Sequence, residues 1–581
     1  MASSGEDSQL VGNDDVGRLG CETFSGNHEF YDTPASKIHQ PGQLQTTIRN
    51  SRHAEPVRRT SGGILERLGG HPRSAFAIHP ILLAAYPVLF LFAQNLDGVS
   101  LANLAMPLAR AIGAAGVMTA VAWILPPDPR RGALIATSLV VMWFYSGRVA
   151  TLLAPLAVGQ TMQLVAWGLF LGVALVAAFR LRDRWISSLT SALNAIGVVL
   201  VVMTLVQIVP YEWAHQPAAV AERPAMSAPA GARDIYYFIL DRYGSNQGLQ
   251  AWADVTSDLP AWLAAQGFAV EAGARANYIR TDLSLAATLN MESLDSIAAT
   301  TGPTSNDLGP INALLQDNAA GRFLEAHGYR YVNIGSWYNA TQTIRIADQN
   351  LFWNATTDFD AMLDKTTFGP TLASILNLPV IPSSDAIHRN NALYQLSVLP
   401  GVEQEPGPKF VVAHILLPHP PYVFDPNGSY PSAAEQKGRT EAQAFEAQMT
   451  YVNAQVRSIV TGLLSRPSDQ QPIVVIQADE GPYPDPYQAD EVHFDWSTAT
   501  SDELEAKYGI LDAFYLPGAA VAGNPEPYST VTSWNTFPIV FDRYFGANIP
   551  LLPDRSFTSS SYTRPYDLTD VTTRLPRPAG S

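Results

Sequence analysis

At 581 residues the chain is too long for one ordinary domain, and a formal net charge of −16 with no basic stripe excludes nucleic acid as a partner. The only cysteine, Cys21, leaves the rest of the chain without a disulfide, a thiolate metal site or a cysteine nucleophile.

Residues 1–75 are rich in Ser, Gly, Asp, Arg and His and show no apolar periodicity, which reads as a disordered cytoplasmic region. Region 76–210 holds five apolar stretches, near Ala77–Ala93, Ala105–Leu125, Gly132–Tyr145, Met162–Ala178 and Ile186–Val209. Each approaches the ~20 residues that cross a bilayer as a helix. The third is short, and its pattern is open to continuing past Arg148; Arg110 lies inside the second. Arg58–Arg59, Arg130–Arg131 and Arg180, Arg182 and Arg184 flank alternate spans, so these basic segments share the cytoplasmic face and everything after Pro210 is expected outside. Arg110 and Arg148 would snorkel towards the outer headgroups. A signal peptide does not explain the first stretch, which is far from the N-terminus and is followed by others. No Asp, Glu or Lys lies within the spans, so no ion path is indicated, and the pattern alone does not separate a plain anchor from a lipid-binding domain.

A linker over 211–232, Pro/Ala-rich from Gln216, leads into a region spanning 233–560, with a Pro/Arg/Thr-rich tail over 561–581 expected on the surface. The run Asp234–Gly244 is continuously apolar and ends in Asp241, the pattern of a central parallel strand with an acid at its carboxyl end, where ligands bind in open α/β sheets. Helical patterns follow near Ala251–Gln266 and from Thr281. Thr281 sits where that helix starts, which suits either an N-cap or a hydroxyl poised beside free backbone N–H groups. Further strands are expected at Tyr329–Gly335, Lys409–Pro421, Pro472–Pro482 and Lys507–Gly518, and a helix at Thr536–Phe545; the alternation predicts an α/β sheet. His414, inside its apolar strand, reads equally as a hydrogen-bonded core residue or a site residue, while His419 is exposed by the prolines that end the strand. Asp479 and Glu480 end another buried strand, and adjacent carboxylates there are most easily explained by a cation between them. His493 follows in an acidic loop.

These residues resemble the alkaline-phosphatase-like superfamily, and within it the membrane-bound lipoteichoic acid synthases and lipid A phosphoethanolamine transferases. The resemblance runs from about Ala77 to Phe557 and implies five spans followed by an exported, doubly wound α/β domain. It implies that Asp241 is the first metal acid and that Thr281, with Ser284 completing Thr-x-x-Ser, is a metal-bound nucleophile. Asp479-Glu480-Gly481 falls where relatives have Asp-His-Gly. His414, His419 and His493 resemble the relatives' substrate-phosphate or second-metal histidines: His419 and His493 are expected to act in catalysis, and His414, Arg242 and Asn277 to contact substrate. With Glu480 in place of histidine, the expected ligands Asp241, Thr281, Asp479 and Glu480 are all oxygen donors, which favours Mn²⁺ or Mg²⁺ over Zn²⁺.

The implied activity is transfer of a phospholipid headgroup, phosphoglycerol or phosphoethanolamine, through a phospho-threonine to an envelope glycan or lipid acceptor, at the bacterial plasma (inner) membrane. The alternatives are a phosphoester or sulfuric-ester hydrolase, and a catalytically silent envelope protein that binds glycan or an assembly partner. Sulfatases share the fold, but the Cys/Ser-x-Pro-x-Arg motif they need is absent at the nucleophile position.

Overall fold

The computed structural model describes residues 76–577 except 97–98, 123, 125–127, 154–155, 157–158, 215–227, 229–230, 354–356, 377–383, 491–492, 519–522 and 524. The region 1–75 and most of the linker lie outside the described residues.

The five apolar stretches form α1 (His79–Ala93), α2 (Leu101–Ala122), α3 (Pro129–Leu153), α4 (Gln160–Arg180) and α5 (Asp183–Ala214). Four of them, α2 to α5, are long and apolar enough to cross a membrane. Helix α1 has 15 residues, about 22 Å at 1.5 Å per residue, short of a hydrocarbon core of about 30 Å. It packs against α2, α3 and α5 with Ala84, Val88 and Phe92 wholly buried. Helix α3 runs past Arg148, the continuation that the short third stretch left open: the Arg148 guanidinium lies 5.0 Å from the centre of the Phe90 ring, a cation–π contact. Arg131 donates to the Ala178 and Leu181 carbonyls at 2.6 and 2.9 Å and to Asp183 at 2.6 Å, which puts the basic loops before α3 and between α4 and α5 side by side. The first half of α2 meets the following domain instead, through Arg110–Asp360 at 3.2 Å and Asn103–Asn339 at 3.0 Å.

That domain is built on a seven-stranded sheet. Its strands are β1 (Ile235–Leu240), β2 (Ala269–Val270), β3 (Arg330–Ile334), β4 (Gln349–Leu351), β5 (Lys409–Ile415), β6 (Ile473–Gln477) and β7 (Asp512–Tyr515), in the order β2-β7-β6-β1-β5-β3-β4. Strand β1 is central and parallel to β5 and β6; β3 and β4 continue the parallel set, whereas β7 runs antiparallel to β6. Every residue of β1, β5 and β6 is buried, which is why those sequences read as unbroken apolar runs.

Three local expectations change. The helical pattern at Ala251–Gln266 divides into Asn246–Ala253 and Leu259–Ala265, with Asp254 at φ 55 ending the first. The strand expected from Lys507 starts only at Asp512, because Lys507 and Tyr508 close the helix Ser501–Tyr508. The tail is not simply superficial: β8 (Phe557–Ser559) and β9 (Leu568–Asp570) form a hairpin, Tyr566 is buried, and Phe557 stacks on Tyr278 with ring centres 5.7 Å apart.

Candidate metal and active centre

The parallel pairing of β1 with β5 and β6 brings three chain positions to one ridge: Ile239 is in register with both His414 and Gln477. Asp241 follows β1, His414 lies near the end of β5, and Asp479 follows β6. One ligand atom from each of Asp241, His414 and Asp479 lies within 4.8 Å of the others, and all three side chains are buried. Asp241 Oδ2 is 3.3 Å from His414 Nε2. Asp241 Oδ1, His414 Nε2 and Asp479 Oδ2 have no hydrogen-bond partner. Buried polar atoms without partners are costly, and three aimed at one point fit a cation.

The electrostatics agree. Burial opposes the charge on Asp241, but His419 and His414 outweigh it and hold the carboxyl down to about 2. Burial and the Asp241 charge push Asp479 up to about 6. Two carboxylates this close repel unless a positive charge separates them.

The surrounding contacts fix these side chains. His414 Nδ1 is engaged by Thr341 Oγ1 at 2.8 Å, and Thr341 Oγ1 in turn meets Ser336 Oγ at 2.9 Å. With Nδ1 occupied, Nε2 is the nitrogen presented to the carboxylates. Thr281 is half-buried and is the first residue of the helix Thr281–Asn290; its hydroxyl lies beside the Asp479 carboxyl group and favours that group's charged form. Ser284 Oγ donates to the Asp479 carbonyl at 2.7 Å. Arg280 fixes the turn by gripping Asp282 with two hydrogen bonds of 3.1 and 2.7 Å.

Glu480, expected as a ligand, turns away. Its Oε1 lies 2.8 Å from Lys507 Nζ and 3.6 Å from Arg242 Nε, and both charged ends are buried. Burial drives the Glu480 carboxyl up and the Lys507 ammonium down, each to about 8, with each partner partly offsetting the other's shift. Gly481 allows this meeting. Its N–H donates to the Lys507 carbonyl at 2.8 Å, and a Cβ there would run into the Ala506 carbonyl. The candidate donor set is therefore not all oxygen: His414 would supply a nitrogen where Glu480 was expected to supply a carboxylate.

Arg242 borders the cluster in a left-handed conformation, φ 61. Its N–H donates to Asp479 Oδ1 at 3.3 Å, and its guanidinium carbon lies 3.3 Å from the centre of the Tyr483 ring. His419 is half-buried, with its ring edge-on to Trp337 at 5.7 Å, and Trp337 stacks on His388 at 3.8 Å. Burial and the nearby Arg242 push His419 down to about 3, against the opposing pull of Asp241. His493 stands apart: its side chain is 79 % exposed and bonds only locally, to Asp490 at 2.8 Å. Asn277 is a fastener rather than a substrate contact, donating to the Arg555 carbonyl at 2.7 Å and accepting from Trp534 N at 2.9 Å. The sequence reading missed Thr341 and Lys507. Neither lies in a motif, and each gains its role only through tertiary contact.

Residues 256–514 match the family described as Sulfatase. The chain carries an enzyme domain of that type, of the alkaline-phosphatase-like superfamily, whose members handle phosphate and sulfate esters. Among solved structures it is similar to the C-terminal periplasmic domain of EptC from Escherichia coli, with 14 % identity, 61 % of this chain and 98 % of that one covered, and a TM-score of 0.36. It is also similar to the integral membrane protein lipooligosaccharide phosphoethanolamine transferase A (EptA) from Neisseria meningitidis (13 %, 75 % and 88 %, 0.32). A third similar structure is the phosphonate monoester hydrolase of Agrobacterium radiobacter (12 %, 56 % and 80 %, 0.35). No curated protein matches the sequence.

Proposed function

We propose that the protein is a membrane-anchored, metal-dependent transferase that moves a phospholipid headgroup, phosphoglycerol or phosphoethanolamine, to a glycan or lipid hydroxyl outside the plasma membrane. The observation that carries the reading is Thr281. It places a hydroxyl at a helix N-terminus, beside Asp479 of an Asp/His/Asp cluster whose inward atoms lack partners. Asp241, His414, Asp479 and the Thr281 oxygen would hold a divalent cation, which when bound lowers the hydroxyl pKa and shields a phosphate. Two carboxylates with one imidazole suit Zn²⁺ or Mn²⁺ better than Mg²⁺.

In this reading Thr281 Oγ1 attacks the donor phosphorus and gives up its proton, and the bond to the diacylglycerol oxygen breaks with that oxygen taking a proton. The acceptor hydroxyl then displaces Thr281. Free N–H groups at the start of the helix and the Arg242 guanidinium favour the phosphate charge. His419, beside Asp241, orients the donor by a hydrogen bond.

The test is release of diacylglycerol from labelled phosphatidylglycerol and phosphatidylethanolamine by purified protein in bilayers. Intact mass of the native protein should show a headgroup-phosphate adduct, and Thr281→Ala should abolish release and remove that adduct. Arg280 is the N-cap of this helix and no side chain caps it, so the change removes no capping bond and the variant should still fold. Substantial release by Thr281→Ala would overturn the assignment.

A further inference from the structure

One segment of the catalytic domain is fastened to the membrane helices. The helix Asp358–Thr366 opens with a capping box between Thr357 and Asp360, and Asp360 also takes the Arg110 guanidinium of α2. Phe359 is buried and meets Phe92 of α1 edge-on at 6.2 Å. The chain then crosses α3: Phe368 N donates to the Trp143 carbonyl at 2.7 Å. Gly147 permits the crossing, since a Cβ there would lie 2.8 Å from the Thr366 carbonyl carbon.

Beyond the crossing the chain forms the helix Gly369–Leu376, with the sequence Gly-Pro-Thr-Leu-Ala-Ser-Ile-Leu. No charged residue occurs between Lys365 and Asp385. Ile375 and Leu376 are 52 % and 55 % exposed. After the linker, the other exposed large apolar side chains among the described residues are the separate Leu393, Tyr430 and Leu551. An adjacent apolar pair left uncovered on a helix that departs directly from a membrane span has one natural environment, the acyl chains beside that span.

We propose that Gly369–Leu376 is inserted into the bilayer layer that faces the catalytic domain, alongside α3, with Ile375 and Leu376 among lipid chains. The segment 358–376 is then a latch between the domain and the membrane. The occupant of the apolar face is lipid rather than another protein because the face continues from contacts with three membrane helices. The latch also sets the site close to the lipid surface. Asn103, near the start of α2, donates to Asn339 at 3.0 Å, and Asn339 opens the helix Asn339–Gln342 that carries Thr341, the residue holding His414.

The test does not depend on activity. In a Cys21→Ser background, Leu376→Cys is labelled with an environment-sensitive fluorophore and the protein is placed in bilayers containing acyl-chain nitroxide lipids. Asp502→Cys, on the exposed start of the helix Ser501–Tyr508, serves as the water-facing control. The label at position 376 should emit at shorter wavelength and lose most of its emission to the nitroxide, while the control keeps its emission. Equal quenching at the two positions would overturn the proposal, as would quenching at position 376 that a water-soluble quencher matches.

Discussion

Glu480 and Lys507 show how one residue can leave a motif and acquire a structural duty. Each is buried, and each favours the other's charged form against the cost of burial. Glu480→Gln would leave Lys507 without its carboxylate, a loss of about 3 kcal/mol at the lower end of what breaking a buried pair costs, since this lysine can shed its proton. Glu480→Met with Lys507→Met should recover most of that stability, and elemental analysis of either variant should find the metal content of the native protein. Loss of the metal in folded Glu480→Gln would restore Glu480 as a ligand. Asp241, Thr281 and Asp479 were legible in the sequence because each stands where an apolar strand ends or a helix begins. Glu480 was not, because two neighbouring carboxylates look alike until the partner of one, Lys507 on a distant helix, comes into view. His414 was ambiguous for a related reason: a histidine in an apolar strand suits a ligand role when something holds its other nitrogen, and the contact with Thr341 is invisible in the sequence.

At the level of elements, the strands wholly buried in the sheet were readable as unbroken apolar runs, and the helix Thr536–Phe545 emerged with the expected bounds. The short pieces were not readable. Strands β2 and β4, of two and three residues, carry too little pattern, and the hairpin in the tail depends on Phe557 finding Tyr278. The crossing of α3 by the 358–376 segment rests on Gly147. Gly147→Leu should push Lys365 and Thr366 off α3, with a strain of about 1–3 kcal/mol typical of overpacking. The measurement is a cross-link between Asn103→Cys and Asn339→Cys in a Cys21→Ser background. It should form readily with Gly147 and drop sharply with leucine. An unchanged yield would show that the domain is held by other contacts.

For the whole molecule, the arrangement of charge bears on orientation. Arg131 ties the two basic loops together at one end of the helices, while Arg110 and Asn103 reach the catalytic domain at the other. If the basic end is cytoplasmic, alkaline phosphatase fused at the C-terminus should be active and a fluorescent protein at Met1 should glow. An inactive phosphatase would place the catalytic domain with the basic loops and end the lipid-headgroup reading. The short α1 makes this measurement more than a formality, because a helix that failed to cross would put the N-terminus on the same side as the domain. The contact from Asn103 through Asn339 and Thr341 to His414 has a kinetic consequence. A centre tethered at a surface meets its donor by lateral diffusion in two dimensions, so rate should follow the mole fraction of donor in the bilayer. Diluting that donor with inert lipid at constant total donor should slow the reaction, although its bulk concentration has not changed.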